Sequence, residues 1–187
     1  MIWSIPGQTK SIFLTFDDGP VPELTPWILE TLKKNQLKAT FFCVGDNVRK
    51  YPELYERIIN DGHSVGNHTY HHLNGWKTGV KEYISDVEKA SEFIKSNIFR
   101  PPYGKMRTQQ KKQLRKKYKI VMWDVLSKDY SSSLTKWKVL ENVLNYARPG
   151  SIVVFHDNMK AKDKLQFVLP KVIEHYLYKA YVFKKIE

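Results

Sequence analysis

The sequence predicts an α/β fold built on parallel strands, and two observations carry that expectation. Short apolar runs alternate with segments of helical periodicity from one end of the chain to the other. Reactive side chains then fall just past the ends of those runs: Asp17 and Asp18, His68 and His72, Arg100, Asp129, and His156. The C-terminal edge of a parallel sheet is the rim where sites assemble in such folds. Five segments delivering such groups to one rim favour a closed or nearly closed barrel over an open sheet, and an enzyme over a scaffold.

The elements follow in order. Residues 11–16 form a first strand, which stops at Asp17-Asp18-Gly19-Pro20. Thr25 before Pro26 reads as an N-cap with proline at the first helical position, opening a helix to about Lys34. Residues 37–44 form a second strand. Its Cys43 is the only cysteine, so no intrachain disulfide is possible, and it reads as a small buried hydrophobe. Pro52 opens a helix that Gly62 is placed to end. Residues 63–67 are short and extended. Thr78 is expected to cap a long helix in which Val80, Ile84, Val87, Ala90 and Ile94 keep helical spacing. A brief strand at 98–100 precedes Pro101-Pro102, a basic helix spans 108–118, and a strand spans 120–125. A helix at 134–147, an apolar strand at 151–155, a helix at 165–179 and a strand at 181–186 complete the chain. Trp123 and Trp137 are expected in the core. This makes about seven parallel strands in one domain, residues 1–187, with no repeat or linker.

Composition narrows the function. No run approaches the ~20 apolar residues of a membrane span, and the first residues lack a signal-peptide apolar region. The formal net charge of +12 suits an anionic polymer or an envelope surface. The densest basic stretch, 105–119, has only Tyr118 for stacking, which argues against a nucleic-acid partner.

The chemistry starts at Asp17 and Asp18. Adjacent carboxylates repel, so one is expected to be neutralised by a proton, a metal or an arginine. His68 and His72, four residues apart, would share one face of a helical turn and one metal ion. Asp18 or Asp17 is the natural third ligand, since two histidines and a carboxylate leave a position open for water. The His71 side chain would diverge from the pair.

Five segments in order carry a resemblance across nearly the whole chain. They are Thr15-Phe16-Asp17-Asp18-Gly19-Pro20, Asn67-His68-Thr69-Tyr70-His71-His72, Arg100-Pro101-Pro102-Tyr103-Gly104, the stretch from Trp123 to Asp129, and Ser151-Ile152-Val153-Val154-Phe155-His156-Asp157. Together they resemble the polysaccharide deacetylase family, the NodB-homology group of carbohydrate esterases (family 4). The resemblance implies a distorted (β/α) barrel of fewer than eight strands. It also implies metal-dependent removal of acetyl groups from N-acetylated sugars of peptidoglycan or chitin-like polymers, in the cell envelope or outside the cell. Asp18, His68 and His72 would hold one divalent metal, zinc by preference, with cobalt, nickel or manganese as alternatives. Asp17 would be the general base, paired with Arg100. His156 would be the general acid, partnered by Asp129. The Tyr103 backbone N–H would face the oxyanion, and Val154 would line the acetyl pocket.

Three positions depart from the family pattern: Tyr130 stands for a tryptophan, Leu73 for a proline, and Val154 for a leucine. Tyr130 and Val154 would therefore shape substrate preference. Trp76, in a loop near the histidine segment, is a further candidate for stacking on a sugar. A small-molecule deacylase on the same fold and a non-catalytic glycan-binding module are the alternatives.

Overall fold

The computed structural model describes residues 1–187. Eight strands alternate with helices: β1 (Ser11–Asp17), α1 (Thr25–Lys34), β2 (Thr40–Cys43), α2 (Gly45–Lys50), α3 (Pro52–Asn60), β3 (Ser64–Asn67), α4 (Val80–Phe93) and β4 (Ile98–Phe99). Then come α5 (Thr108–Leu114), β5 (Lys119–Ile120), β6 (Val125–Leu126), α6 (Lys136–Leu144), β7 (Ile152–His156), α7 (Lys162–Tyr178) and β8 (Val182–Phe183). Neighbouring strands run β5-β4-β3-β2-β1-β7-β6, with β8 beside the start of β1, and every strand pairing is parallel. The sheet curls into a distorted half-barrel, as the strand–helix alternation requires. No helix is long and apolar enough to cross a membrane.

The count exceeds the expected seven because residues 120–125 do not form one strand. They break into β5 and β6, which lie at opposite edges of the sheet. The segment between them crosses the barrel's open side, where Ile2 bridges Val121. The apolar run is real, but it spans a gap instead of a ladder.

Strand periodicity places the site. In β1, Ile12, Leu14 and Phe16 join the 30-residue core cluster beneath the helices, while Phe13 belongs to a separate cluster with Phe42, Ile98, Val121, Ile152 and Ile186. Side chains alternate across a strand, so Phe13, Thr15 and Asp17 form the inward row. In β7, Val153 and Phe155 face the helices, leaving Ile152, Val154 and His156 inward. The register sets Thr15 beside Val154 and Asp17 beside His156. The barrel interior therefore changes from apolar at the base to acid–base at the rim. Gly66 of β3 makes room for this filling, because a Cβ there would lie 2.5 Å from the Phe42 ring. Cys43 is buried in the helix-facing core, as expected.

Two expected caps are absent. The Thr25 hydroxyl caps nothing: it accepts from the Val21 N–H at 2.6 Å and donates to Asp157 Oδ2 at 2.6 Å, and Leu24 occupies the N-cap position. Thr78 donates to the Asn74 carbonyl, and α4 begins after Gly79. Gly62 ends α3 as expected, with φ +83°. Trp137 is 57% exposed, against the expectation of a core position, and lies edge-on to Phe167.

Candidate active site

The rim holds a cavity of about 630 Å³, lined among others by Asp17, Asp18, His68, His72, Tyr103, Tyr130, Val154 and His156. Segments distant in sequence meet there because each leaves the sheet at the same edge.

The two adjacent carboxylates have separate surroundings. Asp17 ends the inward row of β1, and its Oδ1 lies 2.7 Å from Nη1 of Arg100. Arg100 is fully buried, yet it has a partner for each part of its guanidinium. Nη1 also donates to Thr15 Oγ1 at 2.7 Å, Nη2 to the Met122 carbonyl at 2.8 Å and Nε to the Val121 carbonyl at 3.3 Å. The last two carbonyls belong to the segment crossing the gap between β5 and β6. Arg100 thus answers both a buried carboxylate and the backbone left over where the barrel fails to close.

Asp18 lies one residue beyond β1 and turns away with φ +82°. Its Oδ1 lies 3.1 Å from Nε2 of His72 and 3.5 Å from Nε2 of His68. Burial works against its charge, but the His68 and His72 imidazoles outweigh burial and hold the carboxyl well below the usual carboxylate range. The carboxylate is also fastened from outside. Asn158 Nδ2 donates to Oδ2 at 2.6 Å, and Asn47 Nδ2 donates to the Asp18 carbonyl at 2.8 Å.

One ligating atom from each of Asp18, His68 and His72 lies within 4.8 Å of the others. The His68 orientation fits a metal. Its Nδ1 is 2.7 Å from the Arg100 carbonyl, which only accepts, so Nδ1 carries a hydrogen and Nε2 is the ring atom turned to Asp18 and available as a ligand. The expected helical turn between the histidines is absent. Residues 68–72 form an irregular loop in which Thr69 and His72 take left-handed φ of +64° and +57°. The rings nevertheless meet, with centroids 5.1 Å apart. His71 turns away to Asp86.

His156 and Asp129 form the third unit. Nδ1 of His156 donates to Asp129 Oδ1 at 2.8 Å, and the His156 backbone N–H donates to Oδ2 at 2.9 Å. Burial pulls the imidazole pKa down, but the hydrogen bond and charge of fully buried Asp129 prevail and raise it to about 9. His156 closes β7 itself instead of following it. Behind it, Asp157 is fully buried and burial lifts its carboxyl to about 8. Its backbone N–H donates to the Asp17 carbonyl at 2.7 Å, and a Cβ on Gly19 would lie 2.1 Å from its Oδ2. Gly19 is required there by close approach.

Tyr103 adopts φ +60°, and its ring meets the His72 ring edge-on at 4.7 Å. Tyr130 meets His156 in the same manner at 4.6 Å. Val154 is fully buried in the cavity wall. Trp76 does not line the cavity; it is 59% exposed, with Lys105 over its ring. Trp123, expected in the core, packs against two apolar core clusters and also lines the cavity. Val21, Val44, Leu126, Asn47, Asn158, Met159 and Lys160 complete the wall without having been singled out as site residues in the sequence. Asn158 was within reach, since it follows His156 by two residues at the same rim. Leu126 was not, because the break in residues 120–125 hid its strand.

The polysaccharide deacetylase family model matches residues 4–123. A peptidoglycan-N-acetylglucosamine deacetylase of Bacillus cereus is 35% identical over 182 residues, covering 91% of this chain and 66% of that protein. This chain thus spans a little under two thirds of that relative's length. A chitooligosaccharide deacetylase of Azorhizobium caulinodans is 36% identical over 156 residues, covering 79% of this chain and 74% of that protein. The crystal structure of the Bc1960 peptidoglycan N-acetylglucosamine deacetylase, in complex with 4-naphthalen-1-yl-N-oxidanyl-benzamide, matches with a TM-score of 0.92 at 34% identity, covering 99% of this chain and 90% of that one. The half-barrel, the match to the family model and the similarity to these relatives agree: the chain belongs to the polysaccharide deacetylase family.

Proposed function

We propose that this chain removes acetyl groups from N-acetylated amino-sugar polymers of the peptidoglycan or chitin type, in the cell envelope, with one bound divalent metal. The observation that carries the reading is the division of the Asp17-Asp18 pair. One carboxylate is set against a buried arginine and the other against two histidines, and both line one cavity.

Asp18, His68 and His72 would hold the metal. Two nitrogens and one oxygen suit zinc first, with cobalt, nickel or manganese able to replace it. When bound, such an ion supplies a Lewis acid that activates water and polarises an amide carbonyl. The chain's own groups handle the protons. Arg100 occupies Oδ1 of Asp17, leaving Oδ2 to take the proton of the attacking water. His156, raised to about 9, is protonated at neutral pH. With Nδ1 bound to Asp129, its Nε2 proton is the one delivered to the departing amine, which without it is a poor leaving group.

The Tyr103 backbone N–H donates to no other backbone group and serves the developing oxyanion. Val154, Leu126 and Tyr130 form the wall against which the acetyl methyl packs. Trp76, outside the cavity, is left for a more distant sugar of a longer chain.

Acetate release from N-acetylglucosamine oligomers and from peptidoglycan tests the reading. Chelator-treated protein is expected to release none, and added zinc to restore release. Release that persists unchanged after metal removal, or none from any N-acetylated glycan after zinc addition, would overturn it.

A further inference from the structure

The loop joining His68 to His72 has no regular structure of its own. Thr69 and His72 both sit in the left-handed region, at φ +64° and +57°. For a β-branched threonine this is a strained conformation that persists only where the surroundings impose it. The surroundings are two elements: the start of α2, where the Gly45 and Asp46 N–H groups donate to the Thr69 and Tyr70 carbonyls at 2.9 and 3.1 Å, and two successive residues of α4. The buried Asp86 carboxylate accepts at Oδ2 from the Tyr70 N–H at 2.9 Å and the His71 N–H at 3.0 Å, and its Oδ1 takes the His71 ring Nδ1–H. Next to it, the Val87 carbonyl accepts from Asn67 Nδ2 at 3.0 Å, and Asn67 Oδ1 accepts from the Thr69 N–H at 2.8 Å.

α4 does not need this aspartate. Asp86 lies mid-helix, where aspartate is a poor helix former and caps no end. Its three hydrogen bonds all go to the two residues at the top of the loop, between the histidines. His71, the histidine that points away from Asp18, supplies one of them.

We infer that Asp86 is a positioning residue: with His71 as its clasp, it holds the His68–His72 loop so that both Nε2 atoms converge on Asp18. This rests on the metal-site reading above. Groups that orient metal ligands typically change affinity by about 10- to 100-fold when removed.

The test is a zinc titration against a competing chelating dye, on the full chain, for wild type, Asp86→Ala, Asp86→Asn and His71→Ala. Metal-free circular dichroism and thermal unfolding accompany each variant. Asp86→Ala is expected to weaken zinc binding by about 10- to 100-fold while the metal-free protein keeps its fold. Asp86→Asn, which retains one oxygen for the two backbone N–H groups, and His71→Ala are each expected to lose less. Should Asp86→Ala fail to fold, Asp86→Asn carries the test, with weakened zinc binding still expected. Zinc affinity within twofold of wild type in the folded variants would make Asp86 a merely structural link between α4 and β3 and overturn the inference. Absence of zinc binding by the wild type would overturn the metal-site reading and this inference with it.

Discussion

Asp17 and Arg100 make a buried ion pair, Oδ1 to Nη1 at 2.7 Å, with the guanidinium fully enclosed between the Phe42 ring and the segment that crosses the barrel's gap. The arginine therefore has two functions at once, one chemical and one architectural. Arg100→Ala leaves Asp17 buried without its counter-charge and leaves the Val121 and Met122 carbonyls without their donor. Breaking a buried pair in this way costs about 3–5 kcal/mol. Urea unfolding is expected to show a loss of that size, together with loss of activity. A loss of about 1 kcal/mol or less would show that the pair behaves as an exposed one.

The pH profile should report His156. Its protonated form persists up to about pH 9 because Asp129 outweighs the effect of burial. As a general acid it must be protonated, so the alkaline limb of kcat/KM is expected above pH 6.5 and no higher than about 9, because a cation on Asp18 cancels the part of the rise that this carboxylate supplies. Asp129→Asn removes the charge while burial remains. The limb is then expected to move down to about pH 6.5 or below, with a lower rate at pH 8. An unmoved limb would mean that another group donates the proton.

Asp157 predicts a pH-dependent stability of the metal-free protein. Its carboxyl is raised from 3.8 to about 8, chiefly by burial. Between those values the folded state keeps a proton that the unfolded chain has released, so its contribution to stability falls as pH rises through that window. His156 adds a loss of its own between 6.5 and about 9, since its folded form also holds the proton longer. Asp157→Asn cannot ionise and should flatten the first slope while leaving the second. Unfolding free energies at pH 5 and pH 8 check this: the variant is expected to gain on the wild type at pH 8. An identical pH dependence in both proteins would contradict it.

Much of this arrangement was legible in the chain. The rim could be read because polar residues followed apolar runs at Asp17, His68, Arg100 and His156, and parallel topology sends all such ends to one edge. What stayed hidden was set by tertiary contact. The four-residue spacing of His68 and His72 suggested a helical turn, but the loop makes contacts with α2 and α4 and takes left-handed conformations at Thr69 and His72 that spacing alone would not indicate. The apolar stretch 120–125 looked like one strand because hydrophobicity does not distinguish pairing from crossing a gap. Thr25 carried a cap's signature, yet its hydroxyl was taken by Val21 and Asp157. Trp76 lies outside the cavity, and Trp123 lines it while also packing on the core, since a tryptophan's environment is decided by packing and not by its neighbours in sequence.

In the proposed mechanism the neighbouring carboxylates do different work: Asp18 holds metal and Asp17 moves a proton. Zinc affinity and acetate release measured together on Asp17→Asn and Asp18→Asn test it most directly. Asp17→Asn is expected to bind zinc as the wild type does while turnover falls by about 10²- to 10⁴-fold, and Asp18→Asn to lose tight zinc binding. Loss of the metal in Asp17→Asn with its retention in Asp18→Asn would reverse the two roles and contradict the account.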